Sequence, residues 1–169
     1  VYKRQARTVT SLLKPRLYNT FFLAAMTAII AVPLSLLLGI TAALYRNTFY
    51  DRAVNASALT TISMPEFFVA YILIIFLASI YQFFPSLSNV TSSTPFLERV
   101  YLSILPALTL TLVTVAHMMR MTRAAIINLL SSPYIEMAEL KGLSRSKVIM
   151  KHALPNAWAP ISNIIAFNL

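Results

Sequence analysis

The segment "LYNTFFLAAMTAIIAVPLSLLLGITAALY", residues 17–45, contains no charged side chain. A helix of about 20 residues crosses the roughly 30 Å hydrocarbon core of a bilayer, so this segment is long enough to span a membrane. Residues 67–97 are also uncharged, and residues 100–119 are uncharged apart from His117. These segments together predict an all-α integral membrane protein in which several helices cross the bilayer.

The overall composition supports the same fold class. Of 169 residues, 58% are hydrophobic and 11% are charged, whereas about a quarter of the residues in a soluble domain are charged. The chain has no cysteine, which excludes disulfides and cysteine-based metal sites. We attribute the net charge of +9 to retention on the cytoplasmic side and to contact with anionic membrane lipid, and not to nucleic acid binding.

The apolar segments divide the chain into one transmembrane domain with connecting loops. Pro33 lies inside the first span, and Pro65 predicts a kink or break in the second. Because the chain begins at Val1 and ends within an apolar segment, we expect it to be part of a longer protein. The predicted parts are a lead-in at 1–17, spans at about 18–45, 57–84 and 104–130, a polar loop at about 131–156, and the start of a further span at 157–169.

The distribution of basic residues predicts the orientation in the membrane. Alternating spans place the lead-in and the turn-rich loop at 85–95 on one side and the polar loop at 131–156 on the other. Eight of the 14 Lys and Arg residues fall on the side of the polar loop, and six fall on the opposite side. The positive-inside rule therefore favours a cytoplasmic position for the polar loop.

The polar loop contains "YIEMAELKGLSRSKVIMKHALPNA", residues 134–157, which predicts two short helices. Ser132 is expected to cap the first helix, with Pro133 at its first position. Gly142 suits a left-handed C-terminal cap, and Pro155 is expected to end the second helix because the residue before proline avoids the helical region. We call residues 131–156 the hairpin.

The surface of the first hairpin helix is both polar and apolar. Tyr134, Met137 and Ala138 are spaced three and four residues apart and are expected to form one stripe, with Glu136 on a different face. The hairpin could be an ordinary helical loop, or it could dock into a groove on a partner protein. The residues alone leave both interpretations open.

The hairpin resembles the EAA loop of permease subunits from bacterial ATP-binding cassette importers, whose pattern is E-A-A, three residues, G, nine residues and I-x-L-P. Met137 and His152 depart from this pattern, and "KGLS" with "KHALPNA" is similar to the peptide/nickel branch. The segments "SMPEFF" and "LPALTLTLVTVAHMMRMTRAAI" are also similar to that branch, so the resemblance covers nearly the whole chain. The residues in register with the pattern are Glu136, Ala138, Gly142, Leu154 and Pro155.

The resemblance implies a multi-pass subunit of the bacterial inner membrane. Two permease subunits, identical or different, would form the path, and each hairpin would dock on a cytoplasmic ATPase that uses ATP-Mg. An extracytoplasmic binding protein would deliver di- or oligopeptides, with nickel or another small solute as the alternative. This chain would bind no cofactor and catalyse no reaction. In the hairpin, Ala138 would allow close approach, Gly142 would set the bend, and Glu136 would accept hydrogen bonds from the partner.

Ionisable residues within the spans are candidates for the translocation path because they are costly in lipid. The candidates are Glu66, His117 and Arg120, and each has a structural alternative. Glu66 could satisfy the broken backbone beside it, His117 could be a packing histidine, and Arg120 with Arg123 could snorkel to the membrane surface. A proton-coupled carrier or ion channel using the three candidates stays an alternative function.

No catalytic or metal-binding pattern is recognisable. The chain has five carboxylates, and no pair of them has metal-ligand spacing with a histidine. Its two glycines exclude a glycine-rich phosphate loop, so ATP chemistry would have to come from a partner. The shortage of acid–base pairs also makes a membrane-embedded hydrolase the weakest of the possible functions.

Overall fold

The computed structural model describes residues 9–91 and 93–168. These residues form helices and connecting turns without a strand among them, so the all-α prediction is confirmed. Residues 1–8 of the predicted lead-in lie outside the described residues, and residues 9–17 already belong to the first helix. The elements are α1 (Val9–Leu44), α2 (Phe49–Ser63), α3 (Glu66–Leu73) with a π-helical continuation (Ile74–Ile80), α4 (Phe96–Leu130), α5 (Pro133–Leu140), α6 (Arg145–Val148) with a π-helical continuation (Ile149–Ala153), and α7 (Leu154–Asn168).

Among the described residues, two helices are long and apolar enough to cross a membrane, namely Leu13–Leu44 of α1 and the whole of α4. The helices α2 and α3 would provide a third crossing if they form one broken span, and they meet at an angle of 104°. Met64 is extended at this junction because the following Pro65 disfavours the helical region. The predicted break at Pro65 is confirmed, but the predicted segment 57–84 is not one straight helix, and its helical part ends at Ile80.

Helix α4 begins earlier in the chain than expected. The sequence predicted a span that starts at about residue 104, close to Pro106, whereas the helix begins at Phe96 and continues through Pro106. The amide of Arg99 donates to the Pro95 carbonyl at 2.9 Å, which starts the helix directly after that earlier proline. Packing on both sides of Pro106 buries Leu105 and Ala107, and such packing allows a helix to accommodate an interior proline.

Helices α1 and α4 pack closely along a stripe of small residues on α1. A Cβ atom added to Gly39 would lie 2.9 Å from the Met119 carbonyl oxygen and 2.9 Å from Thr122 Cβ, so the two backbones approach too closely for a larger residue. Small residues spaced four apart allow such close approach between membrane helices. The buried members of the stripe are Thr27, Ala31, Ser35, Gly39 and Ala43.

The end of the bundle next to the hairpin has its own hydrophobic cluster. Ala43 of α1 and Ile126 of α4 are fully buried there against Ile149, and Ala157 and Ile161 of α7 complete the cluster. The cluster joins both long helices to the segment that leaves the hairpin. It therefore fixes the position of the hairpin relative to the membrane helices.

Candidate functional site

The first hairpin helix starts at Pro133, as predicted, but Ser132 does not cap it with its side chain. The Ser132 hydroxyl donates back to the Leu129 carbonyl at the end of α4. Its own carbonyl accepts from the amides of Ile135 at 3.0 Å and Glu136 at 3.3 Å. Glu136 is exposed in the first turn of α5, where the helix dipole favours a carboxylate.

The buried face of α5 differs from the predicted stripe. Ile135 and Ala138 are buried together against Val148 and Ala153 of the second hairpin helix. Tyr134 and Met137 are exposed, so the stripe that the sequence suggested is divided between two faces. The small Ala138 side chain allows the two hairpin helices to approach each other. Its expected role in docking on a partner stays a prediction.

Gly142 has the left-handed backbone predicted for it, with φ at 77°. The Leu143 amide donates to the Ala138 carbonyl at 3.4 Å, and Leu143 packs against the cluster that contains Ala138. This bond and contact are those of a Schellman motif. A Cβ atom at position 142 would meet nothing within 4 Å, so the requirement for glycine comes from the backbone angle and not from a lack of space.

The second hairpin helix does not end at Pro155, contrary to the prediction. The π-helical segment before it is closed by a bond from the Leu154 amide to the Ile149 carbonyl, and α7 continues to Asn168. A π-helical turn widens the backbone ladder, which lets the helix accommodate the ring that follows. Leu154 is half-buried against the cluster around Ile126, whereas Pro155 is exposed.

Additional contacts make the hairpin one unit with the membrane helices. Leu130 at the end of α4 packs against the hairpin cluster as well as against the cluster around Ile126. The Asn156 side-chain amide donates to the Tyr134 hydroxyl at 3.3 Å and to the His152 carbonyl at 2.9 Å. Of the five residues matched to the EAA pattern, three are therefore on the surface (Glu136, Gly142, Pro155) and two face inward (Ala138, Leu154).

Two of the three predicted path residues lie together. His117 and Arg120 are exposed on α4 and line one cavity of about 350 Å³, which Asn55 of α2 also lines. Glu66 is exposed at the start of α3 and does not line this cavity. Among residues 9–91 and 93–168, no group of three or more His, Cys, Asp or Glu side chains could hold a metal ion.

The structure also shows an ion pair that sequence reasoning missed. Arg123 donates from Nε to Asp51 Oδ1 at 2.6 Å and from Nη2 to Oδ2 at 2.7 Å. The Asn55 side-chain amide donates to Oδ1 at 2.7 Å, and the Asn47 backbone amide donates to Oδ2 at 3.0 Å. Arg123 therefore pairs with a carboxylate, a contact that the snorkelling interpretation of Arg120 and Arg123 did not include. The available signal was Asp51, one of only five carboxylates in an apolar chain.

Comparison with known proteins agrees with the resemblance in the hairpin. The dipeptide transport system permease protein DppB of Bacillus subtilis is 34% identical over 163 residues, which are 96% of this chain and 50% of the relative. The oligopeptide transport system permease protein AppB of the same organism is 30% identical over 163 residues, with coverages of 95% and 52%. The dipeptide transport system permease protein DppB of Escherichia coli is 30% identical over 178 residues, with coverages of 92% and 52%.

The alignments with these three relatives cover 92–96% of this chain. This chain spans about half the length of the curated relatives that it matches. Residues 35–169 match the family described as the inner membrane component of binding-protein-dependent transport systems. The chain therefore belongs to the family of binding-protein-dependent transport system inner membrane components.

Proposed function

We propose that the chain belongs to a permease subunit that forms the translocation path of an ATP-driven importer for di- or oligopeptides. The observation that carries the proposal is the hairpin, which is fixed to the membrane helices on one side and presents an unpartnered surface on the other. The relatives named above are described as dipeptide and oligopeptide permeases. Those descriptions favour peptides over nickel as the transported solute.

The exposed face of α5 is suited to docking on a partner protein. Tyr134, Met137 and Leu140 are all exposed, and Leu140 has 76% of its surface accessible. The exposed side chains of Glu136 and Lys141 flank this apolar surface. An apolar helix face with a polar rim fits a groove. The partner that provides this groove would be a cytoplasmic ATPase, which binds ATP-Mg and hydrolyses the ATP.

The buried face of the hairpin provides the mechanical connection. A displacement of α5 is transferred to α6 through the contact of Ile135 and Ala138 with Val148. It reaches α4 through Leu130 and the cluster around Ile126 through Leu154. Closely packed side chains resist compression, so the hairpin moves together with the ends of the long helices. ATP-driven motion of the partner would thereby reorient the path.

The polar face of α4 supports a position beside the path. His117, Arg120 and Ala124 follow one another at spacings of three and four, and all are exposed. An exposed arginine and histidine on a transmembrane helix are costly when they face lipid. They would face water in the path or a second permease subunit, either another copy of this chain or a different one.

Glu66 would line another part of the path. A binding protein would deliver the peptide from the extracytoplasmic side of the bacterial inner membrane.

Substitution of Gly142 tests the docking role in the complete transporter reconstituted in liposomes. Gly142→Val imposes a left-handed backbone on a β-branched residue, at a cost of about 1–2 kcal/mol or more. Peptide-stimulated ATP hydrolysis and peptide uptake should therefore both fall by about tenfold. Gly142→Asn is the matched control because asparagine tolerates this conformation, and it should retain activity close to wild type.

Three results would contradict the proposal or its explanation. Unchanged coupling in Gly142→Val would remove the role of the bend in docking. Uptake that continues without the ATPase and without ATP would instead favour a channel or a proton-coupled carrier. Equal loss in both variants would place the sensitivity in the side-chain surface at position 142 and would contradict the backbone explanation.

A further inference from the structure

Arg99 is a buried cation at the end of the bundle opposite the hairpin. It lies in the first turn of α4 with 5% of its surface exposed. Arg99 and Arg123 lie on the same helix, about 36 Å apart along its axis at 1.5 Å per residue. This distance is close to the roughly 30 Å hydrocarbon thickness of a bilayer. The two arginines therefore lie near opposite membrane surfaces.

The contacts of Arg99 leave its charge uncompensated. Nη1 donates to Asn19 Oδ1 at 2.7 Å, and Nη2 donates to the Thr91 carbonyl at 2.8 Å. The guanidinium carbon lies 4.7 Å from the centre of the Tyr18 ring and 5.7 Å from that of Phe22. The only ion pair among the described residues joins Arg123 to Asp51. A buried charge without an opposite charge is unfavourable, so this site attracts an anion.

Arg99 lines a cavity of about 430 Å³ together with Lys14. Tyr18 and Phe96 provide aromatic walls, and Asn19 adds an amide. None of the described residues that line the cavity is a carboxylate. Lys14 also lines an adjoining groove of about 340 Å³ with Leu13 and Leu17 of α1. Both cations thus line the cavity, and Lys14 stands where the cavity meets the apolar groove.

The groove continues into an exposed apolar stripe on the outside of α1. Leu13, Leu17 and Phe21 are spaced four residues apart, and all three are exposed. The stripe begins beside Lys14 and runs along a helix that is apolar enough to cross the membrane. A ligand that occupies both regions needs an anionic head and a hydrocarbon chain.

We propose that this site binds an anionic phospholipid through its phosphate. The phosphate oxygens accept hydrogen bonds from Lys14 Nζ and from the guanidinium of Arg99, and charge-assisted bonds of this kind are the stronger ones. One acyl chain runs from the phosphate towards the bilayer core along Leu17 and Phe21. Tyr18 lies at the level of the headgroup, where aromatic residues are enriched. The inference depends on the membrane position of α1 and α4 and not on the transported solute.

The test uses the complete transporter in lipid nanodiscs, followed by native mass spectrometry to count retained lipids. Wild-type protein should retain one phosphatidylglycerol per copy of this chain in preference to phosphatidylcholine. Lys14→Gln should weaken this retention about fivefold, since one basic residue near an anionic surface contributes about 1 kcal/mol. Lys14 is exposed, so its replacement preserves the contacts between Arg99 and its neighbours.

Arg16→Gln is the matched control because Arg16 is exposed on the same helix but does not line the cavity. Its lipid retention should stay within twofold of wild type. Equal losses in the two variants would show diffuse attraction to the surface and would overturn the specific site. Equal retention of phosphatidylcholine would exclude anion recognition. Displacement of the lipid by millimolar inorganic phosphate would assign the cavity to a soluble anion instead.

Discussion

The Asp51–Arg123 pair joins the first turn of α2 to α4, and its removal should destabilise the bundle. The carboxylate of Asp51 accepts four hydrogen bonds, two at each oxygen, and its side chain is 5% exposed. Asp51→Asn replaces one oxygen by an amide group that can only donate. Whichever way the amide turns, two of the four bonds are lost, and a donor then faces two other donors.

The expected loss follows from the burial of the two partners. Removal of one member of a fully buried ion pair costs about 3–5 kcal/mol. The Arg123 side chain is 23% exposed, so water can partly solvate it after the substitution. We therefore expect the free energy of unfolding to fall by about 3 kcal/mol in Asp51→Asn, at the lower end of that range.

A double-mutant cycle measures the interaction itself. The variants Asp51→Asn and Arg123→Gln and the double variant are made in the full-length protein. The free energy of unfolding of each is measured with denaturant in micelles. The coupling energy should be about 2 kcal/mol, within the range found for contacting residues. Arg120→Gln is the matched control, because Arg120 lies one turn away and is exposed. Additive losses in the cycle, or an equal loss in Arg120→Gln, would refute the interpretation of this pair as a structural link.

Two further predictions concern packing. Gly39→Val should lower the free energy of unfolding by about 1–3 kcal/mol, because it overpacks the contact between α1 and α4. Ala25→Val, on the exposed face of α1, should change this free energy little. Equal effects of the two variants would contradict the close approach of the helices. Ile135→Ala should lower the unfolding free energy by about 2–4 kcal/mol. Leu140→Asp should leave the unfolding free energy nearly unchanged but reduce binding of the ATPase, measured by co-purification. If Leu140→Asp still binds the ATPase, the exposed face of α5 is not the docking surface.

Local rules predicted several features correctly. The break at Pro65 follows from the missing amide of proline, and the bend at Gly142 follows from the one residue type that adopts positive φ without strain. Both depend only on the backbone of the residue concerned and its immediate neighbours. The same local reasoning failed at Pro106 and Pro155, where packing and a π-helical turn allowed the helix to continue.

The sequence by itself determined the membrane class, the helical composition and the family, because uncharged segments and the spacing of the EAA pattern are properties of the chain alone. Only the tertiary structure decided which faces are used. It turned Ala138 inward, paired Arg123 with Asp51, and left Arg99 buried at the wall of a cavity that Lys14 also lines. These outcomes depend on contacts between residues up to about 80 positions apart, such as Arg99 with Asn19. Helical spacing shows which residues share a face, but the neighbouring helix decides whether that face is buried.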